Sequence, residues 1–474
     1  MWWEGAGIAG QKCINPDCGR EYGIREVRTG CAACGELLDV VYDWPRALFA
    51  RDWSWFERGG GGGPMSASGV WQFAELMPFM GSATDIVSVG EGKTVLQRAD
   101  QLGAVVGMEP GKLHLQYEGL NPTGSFKDNG MTAAFTHARM VGAKTVACAS
   151  TGNTSASMAV YAAAAGMRAV VFIGEGKIAL GKLSQALDYG ALTLQVKGDF
   201  DACLERVRQV AEGGEGSAAE RGGGVYLMNS VNPFRLEGQK AVMYRVLRDL
   251  RWEVPDWIVV PGGNLGNCSA FGKAFMELRA LGMVERVPRL AVINATGAST
   301  LDRVYNGLRV RWNGGRYDKV KVKGEYERMD RAGEGGRAHT IASAIEINRP
   351  VNLSKALRAL EEMSGVVRSV GDDEILEHKA LVGRHGLGCE PASAATLAGL
   401  VRLLGEGVIK PGERVVCVLT GHQLKDPDAT VGYHMGVDAK TGKAREGAKG
   451  KWANMPVKVE NELGEILRVM REGR

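Results

Sequence analysis

Residues 144–173 read KTVACASTGNTSASMAVYAAAAGMRAVVFI, and their pattern decides the fold. Lys144 to Ala149 is a short apolar run suited to a buried strand, Thr154 to Ala165 is an alanine-rich stretch of helical length, and Arg168 to Ile173 is a second β-branched run. Strand, helix and strand in that order predict parallel neighbours in one sheet. The junction Ser150-Thr151-Gly152-Asn153-Thr154-Ser155 places hydroxyls, an amide and free backbone donors at a helix N-terminus, which suits a carboxylate. An N-cap would explain one hydroxyl but not the cluster.

The same alternation continues outward. Further strands are predicted at Asp256 to Val260, Leu290 to Asn294, Leu192 to Val196 and Arg414 to Leu419, with helices at Phe234 to Leu250 and Ala392 to Leu404. The fold class is therefore α/β with parallel sheets. At 474 residues the chain exceeds what one core serves, and a prior of roughly two to four domains applies. Glycine, at 67 residues, stands near twice the usual level of about 7%, so many loops need unusual backbone geometry.

Composition also excludes several classes. Hydrophobic content of 45% and charged content of 24% are those of a folded globular protein rather than a disordered one. The 58 basic and 54 acidic residues are too balanced to imply nucleic acid or an anionic membrane as partner. The start, Met1-Trp2-Trp3-Glu4, lacks the basic region of a signal peptide, and no run of about 18 apolar residues suggests a span, so a cytoplasmic location is expected. The stretch holding Lys440, Lys443, Arg445, Lys449 and Lys451 reads as a solvated tail before an amphipathic helix at Val457 to Met470.

Two other strand–helix junctions carry chemistry. Asn121-Pro122-Thr123-Gly124-Ser125-Phe126-Lys127-Asp128 delivers one lysine to a helix start, where the dipole disfavours the ammonium form and a nucleophilic amine results. Such a lysine forms a Schiff base with a carbonyl cofactor. Pro261-Gly262-Gly263-Asn264-Leu265-Gly266-Asn267 can cradle a phosphate, because its glycines admit close approach to backbone N–H groups. It matches neither the dinucleotide nor the P-loop pattern, which leaves a smaller phosphorylated cofactor. Lysine, phosphate cradle and carboxylate site together point to pyridoxal phosphate acting on an amino acid.

Four of the nine cysteines, Cys13, Cys18, Cys31 and Cys34, fall at metal-ligand spacing and could close a tetrahedral structural zinc site. With four thiolates no position stays open for catalysis. Residues 12 to 43 carry four basic and six acidic side chains, which disfavours phosphate binding by this ribbon-like segment. Cys148, Cys203, Cys268, Cys389 and Cys417 read as core thiols.

Seven blocks in order give the chain a specific likeness: NPTGSFKD at 121–128, STGNTSAS at 150–157, NSVNPFRLEGQK at 229–240, GGNLGN at 262–267, TIASAIEINRP at 340–350, CEPASAA at 389–395 and LTGHQLKDP at 419–427. Over roughly residues 66 to 430 the chain resembles threonine synthase, among the pyridoxal-phosphate enzymes of the tryptophan-synthase-β fold type. The resemblance implies that Lys127 is the Schiff-base lysine, that Asn153 meets the cofactor's ring hydroxyl and that Thr420 meets its pyridine nitrogen. Gly263, Asn264, Leu265, Gly266 and Asn267 would hold its phosphate. Ser150, Thr151 and Thr154 would receive the substrate carboxylate, and Asn229, Ser230 and Arg235, with Lys240 a weaker candidate, the substrate phosphate.

The implied reaction turns O-phosphohomoserine and water into threonine and phosphate, in a cytoplasmic homodimer. Expected segments are a zinc-ribbon-like part at 1–45, a Trp-rich segment with a glycine linker at 46–65, a large cofactor domain at 66–122 and 235–430, a small α/β domain at 123–234 and a tail at 431–474. The alternatives are cysteate synthase, taking phosphoserine and sulfite, and threonine or serine dehydratase, which would not need the 229–240 block. A ribbon-bearing binding protein on an inactive scaffold is opposed by the joint presence of Lys127, Asn153 and Thr420.

Overall fold

The computed structural model describes residues 7–47, 53–57, 64–174, 180–197, 200–212, 224–437, 444 and 450–472. The glycine run at 59–63, and Lys440, Lys443, Arg445 and Lys449 of the basic stretch, lie outside the described residues.

Two sheets organise the chain. The larger runs Val366–Val370, Arg289–Ala295, Trp257–Pro261, Val415–Leu419, Leu113–Tyr117, Val95–Arg98, with every pairing parallel except the last. Trp257–Pro261 and Val415–Leu419 are buried throughout, as near-continuous apolar central strands of a parallel sheet should be. Val95–Arg98 is mostly exposed, as befits an edge. The smaller sheet runs Leu192–Val196, Arg168–Gly174, Thr145–Ala149, Val225–Leu227, all parallel. The parallel α/β class is thus borne out. The C-terminal helix is shorter than predicted, Leu463–Glu472, because β-branched Val457 and Val459 and the poor helix former Asn461 precede it.

Helices at the ends of the strands define where side chains converge. Lys127–Met140 crosses Pro233–Asp249 at two glycines: a Cβ on Gly238 would overlap the Asn129 carbonyl oxygen, and one on Gly130 would stand 2.8 Å from the Arg235 carbonyl oxygen. This close approach sets the first turns of both helices side by side. Beneath the crossing, Glu118 and Arg245 form a wholly buried ion pair at 2.8 Å, and Asn129 donates to the second Glu118 oxygen at 2.6 Å. The Trp-rich segment packs on the core: Trp53 stacks on Trp252 with ring centroids 4.2 Å apart and donates to the Met283 carbonyl.

The N-terminal segment is a three-stranded antiparallel sheet, Glu21–Gly23, Ala9–Cys13, Leu38–Tyr42. Its cysteine turns close on Gly19 and Gly35, at φ of 55° and 71°, a left-handed geometry that glycine adopts without strain. All four cysteine sulfurs lie within 4.8 Å of one another. The segment is bolted to the body by charge. Asp39 faces Lys355 and Arg358 at 2.9 and 2.7 Å, which hold its carboxyl well below the usual range, and Glu36 meets Lys319, Tyr317 and Ser354. Among the described residues no helix is long and apolar enough to cross a membrane.

His137 ties this segment to the smaller sheet. Its Nε2 lies 2.7 Å from the Ile24 carbonyl and its Nδ1 2.7 Å from the Tyr226 hydroxyl, while the ring stacks 3.5 Å from Phe234. A carbonyl only accepts, so Nε2 carries the hydrogen and Nδ1 accepts from Tyr226. Burial pushes the imidazole down to about 4 from 6.5. Unfolded chains therefore take up a proton below pH 6.5 that the folded protein refuses until about pH 4. Stability from this group is complete above pH 6.5 and is lost as pH falls through 4, on the order of 3 kcal/mol in all. His137→Gln should lower the urea midpoint at pH 7.5 yet flatten its fall between pH 6.5 and 4; an unchanged slope in that window would exclude His137 as the titrating group.

Candidate active site

The loop 121–126 is held by backbone bonds to the end of the strand Val415–Leu419. Phe126 N–H donates to the Thr420 carbonyl at 2.9 Å and His422 N–H to the Gly124 carbonyl at 2.9 Å, with Gly124 at φ 79°. Lys425 Nζ adds a bond to the Thr123 carbonyl at 2.8 Å. Asp128 accepts from the Thr123 N–H and hydroxyl and from Ser157, and burial lifts its carboxyl to about 6. These ties place Lys127 as the first residue of its helix, beside Thr420.

The Lys127 amine is pushed down to about 7. Burial is the main cause, the Arg235 guanidinium adds to it, and the Glu390 carboxylate opposes it. Its ammonium also lies 4.2 Å from the Phe126 ring centroid. An amine poised near neutrality is a nucleophile and a base at physiological pH.

Around Lys127 the structure brings together most of the residues singled out from the sequence. Asn153 opens the helix Asn153–Ala165, whose N-terminus has no side-chain cap, with Ser150, Thr151 and Thr154 half-buried around it. Asn153 Nδ2 donates to Glu390 at 2.9 Å, and Thr420 Oγ1 donates to the other Glu390 oxygen at 3.1 Å. Arg235 is 1% exposed; Nη1 donates to the Met228 carbonyl, while Nε and Nη2 have no partner. Two orphaned guanidinium donors in a buried site are costly unless an anion takes them.

The glycine loop ends the strand Trp257–Pro261 and opens the helix Gly266–Ala280, again with no side-chain cap. Leu265 sits in the left-handed region at φ 64°. A Cβ on Gly262 would meet Asn294 Nδ2 at 2.6 Å, and one on Gly263 would lie 3.1 Å from the Ala344 carbonyl. Asn352 braces the turn, its N–H and side-chain amide both 3.3 Å from the Asn264 carbonyl. Asn267 Oδ1 and Asn153 Oδ1 are buried without partners. Uncapped helix N-termini, whose free N–H groups are donors, and a near-neutral lysine fit a phosphorylated carbonyl cofactor.

Other residues are differently employed. The Asn229 amide spans both the N–H and carbonyl of Ala149 at 2.9 Å, closing the end of the strand Thr145–Ala149. Ser230 is buried, and its carbonyl accepts from Asn352. Lys240, the weaker phosphate candidate, is not at the site: its ammonium is fully buried against Glu237, Glu277 and the Leu76 carbonyl, which leave no donor for a substrate. Helical spacing explains the difference, since position 240 lies on another face from 235. Glu390 is not among the residues singled out from the sequence, although an acidic residue directly before a proline and a small-residue helix, within CEPASAA at 389–395, is a usable signal.

Residues 87–421 match the family described as pyridoxal-phosphate dependent enzyme. The chain is 38% identical over 463 residues to threonine synthase of Methanocaldococcus jannaschii, covering 98% of this chain and 99% of the relative. It is 40% identical over 444 residues to threonine synthase of Methanosarcina acetivorans, covering 93% and 98%. Among solved structures, threonine synthase from Escherichia coli superposes with a TM-score of 0.63 at 16% identity, covering 98% of this chain and 100% of that one. The processed form of threonine deaminase isoform 2 from Solanum lycopersicum superposes at 0.52, with 16% identity over 72% and 85%. At these identities the structural likeness speaks to the fold.

The depressed Lys127 amine can be titrated directly. In cofactor-free protein, reductive methylation of Lys127 followed by peptide mapping should rise with a midpoint near pH 7, with the neutral, reactive amine present above it. An ordinary lysine titrates near about 10.4. A midpoint for Lys127 in that ordinary range would overturn the account of its burial.

Proposed function

This chain belongs to the pyridoxal-phosphate-dependent enzymes and, within them, to the threonine synthases, and on that premise we propose how its residues convert O-phosphohomoserine and water into threonine and inorganic phosphate. The observation that carries the residue assignments is Arg235, buried with two unpaired donors beside a near-neutral lysine.

In this reading Gly263, Asn264, Leu265, Gly266 and Asn267 hold the phosphate of pyridoxal phosphate, and Asn153 and Thr420 face its ring. The cofactor, when bound at Lys127, supplies a conjugated ring that accepts negative charge from the substrate's Cα and Cβ. Ser150, Thr151 and Thr154 orient the substrate carboxylate at an uncapped helix N-terminus. Lys127 would take the proton from Cα, hand it on to the bound cofactor and so be free to take one from Cβ. Arg235 Nε and Nη2 hold the substrate phosphate and offset its charge as it departs from Cγ. Asn229 and Ser230 shape that subsite. Lys127 would return one proton to Cγ, vacated by phosphate, and one to Cα, while water adds its hydroxyl at Cβ and its other hydrogen goes to the released phosphate, so that threonine leaves with all atoms accounted for.

The same proposal extends to parts of the molecule away from the chemistry. The four clustered thiols suit a structural zinc, held by Cys13, Cys18, Cys31 and Cys34. The two sheets would mark two domains, 66–122 with 235–430 and 123–234. A cytoplasmic location agrees with cysteine usage far below that of a disulfide scaffold, nine in 474 residues, and a homodimer is proposed on family likeness alone.

Purified protein given O-phosphohomoserine should yield threonine and phosphate in equal amounts, and Arg235→Leu should lower kcat/KM about ten- to a hundredfold while leaving the cofactor's absorption unchanged. Turnover that requires phosphoserine and sulfite would point instead to a cysteate synthase, and indifference to Arg235→Leu to a dehydratase. Borohydride reduction should leave the pyridoxyl group on Lys127, and Lys127→Ala should abolish turnover.

Metal analysis should find about one zinc per chain in protein prepared without chelator. Changing Cys31 and Cys34 together to serine should remove it and lower stability more than catalysis. Protein free of zinc from the outset would sink that assignment.

A further inference from the structure

Glu390 is assigned no role by the reading above, yet it stands between two of its cofactor-facing groups. It precedes the helix Pro391–Gly405, is 1% exposed, and its N–H donates to the Gly421 carbonyl at 3.0 Å. One carboxylate oxygen accepts from Asn153 Nδ2 and the other from Thr420 Oγ1. Thr420 also lies 3.0 Å from Ser393 Oγ, which itself accepts from the Gly421 N–H at 3.1 Å.

Counting hydrogens fixes the direction of this chain of bonds. A carboxylate only accepts, so the single hydroxyl hydrogen of Thr420 goes to Glu390. Ser393 Oγ, already accepting from Gly421, gives its own hydrogen to Thr420. The order is Gly421 N–H to Ser393, Ser393 to Thr420, Thr420 to Glu390. Thr420 is then left with one lone pair and no hydrogen to offer any further partner. A bare pyridine nitrogen is itself only an acceptor, and two acceptors face to face in a dry site repel.

Building on the reading in which Thr420 faces the cofactor's ring nitrogen, we propose that Glu390 is a positioning residue that acts through Thr420 to keep that nitrogen protonated. The proton comes from solvent when the cofactor binds, and the ring N–H then donates to the lone pair on Thr420. A ring carrying that proton is the stronger acceptor of negative charge, which suits a reaction that removes protons from both Cα and Cβ. Glu390 has a second effect on the same side of the site. By accepting from Nδ2 it fixes the orientation of the Asn153 amide, keeping the other N–H of that group available to the ring oxygen.

The test uses holoenzyme reconstituted with pyridoxal phosphate carrying nitrogen-15 in the ring. In the unaltered protein the ring nitrogen should resonate at the position of a protonated pyridine reference. In Glu390→Ala the Thr420 hydrogen becomes free to donate to the ring, and the resonance should move to the position of unprotonated pyridine. Ser393→Ala disturbs the same spot but leaves the Thr420–Glu390 bond, so its resonance should stay protonated. Should Glu390→Ala not fold, Thr420→Val removes the acceptor itself and should give the same displacement. An unprotonated nitrogen in the unaltered protein overturns the proposal, as does a protonated one in Glu390→Ala or Thr420→Val. Borohydride mapping of the same samples keeps the two readings apart: cofactor absent from Lys127 defeats the parent assignment, whereas cofactor on Lys127 with an unprotonated ring defeats only the role of Glu390.

Discussion

Everything at the centre of this protein depends on how closely two helices cross. Lys127–Met140 and Pro233–Asp249 touch at Gly130 and Gly238, where no side chain fits between the backbones. Residues 127 and 235 lie one turn before those glycines, so the contact brings a lysine and an arginine together near the end of the larger sheet. Two cations that close would separate in water. Here burial and the rigid crossing hold them, and the outcome is a lysine near neutrality beside a guanidinium with unspent donors. A larger residue at either glycine would push the helices apart and lose both properties at once.

Around that crossing, buried charge is handled in two ways. Where the role is structural, every charge has a counter-charge: Tyr42, Glu237, Lys240, Lys273 and Glu277 form a closed network under the N-terminal segment, and Glu118 is matched by Arg245. Such networks add modestly to stability but penalise any packing that leaves a member unpaired. Where binding is expected, a buried cation lacks a counter-charge: among the described residues no carboxylate pairs with Arg235, whose Nε and Nη2 are without partners. The contrast separates Arg235 from Lys240, two basic residues five positions apart on one helix.

The N-terminal sheet belongs to the same mechanical unit. Leu38 and Asp39 engage Lys355, in the helix Leu353–Glu362, and the preceding Asn352 bonds to the Asn264 and Ser230 carbonyls. The first turn of that helix therefore bridges the cysteine-bearing segment and the glycine loop, with hydrogen bonds at either end. A small sheet with a minimal core of its own gains its order from these contacts and from the clustering of its thiols.

The sequence by itself determined what is local. Parallel strands followed from uniformly apolar runs such as Trp257–Val260, and the strand–helix junctions followed from their glycines, hydroxyls and amides, because strand burial and turn geometry are properties of a few adjacent residues. The spacing of Cys13, Cys18, Cys31 and Cys34 is likewise a short-range fact. Tertiary structure decided which polar side chains remain unpaired. Asn229 closes a strand end, Lys240 neutralises two glutamates, and Glu390 joins Asn153 to Thr420 across 237 and 30 residues of chain. A buried polar group takes whatever partner the fold presents within about 3 Å, and that partner is chosen by packing between distant segments.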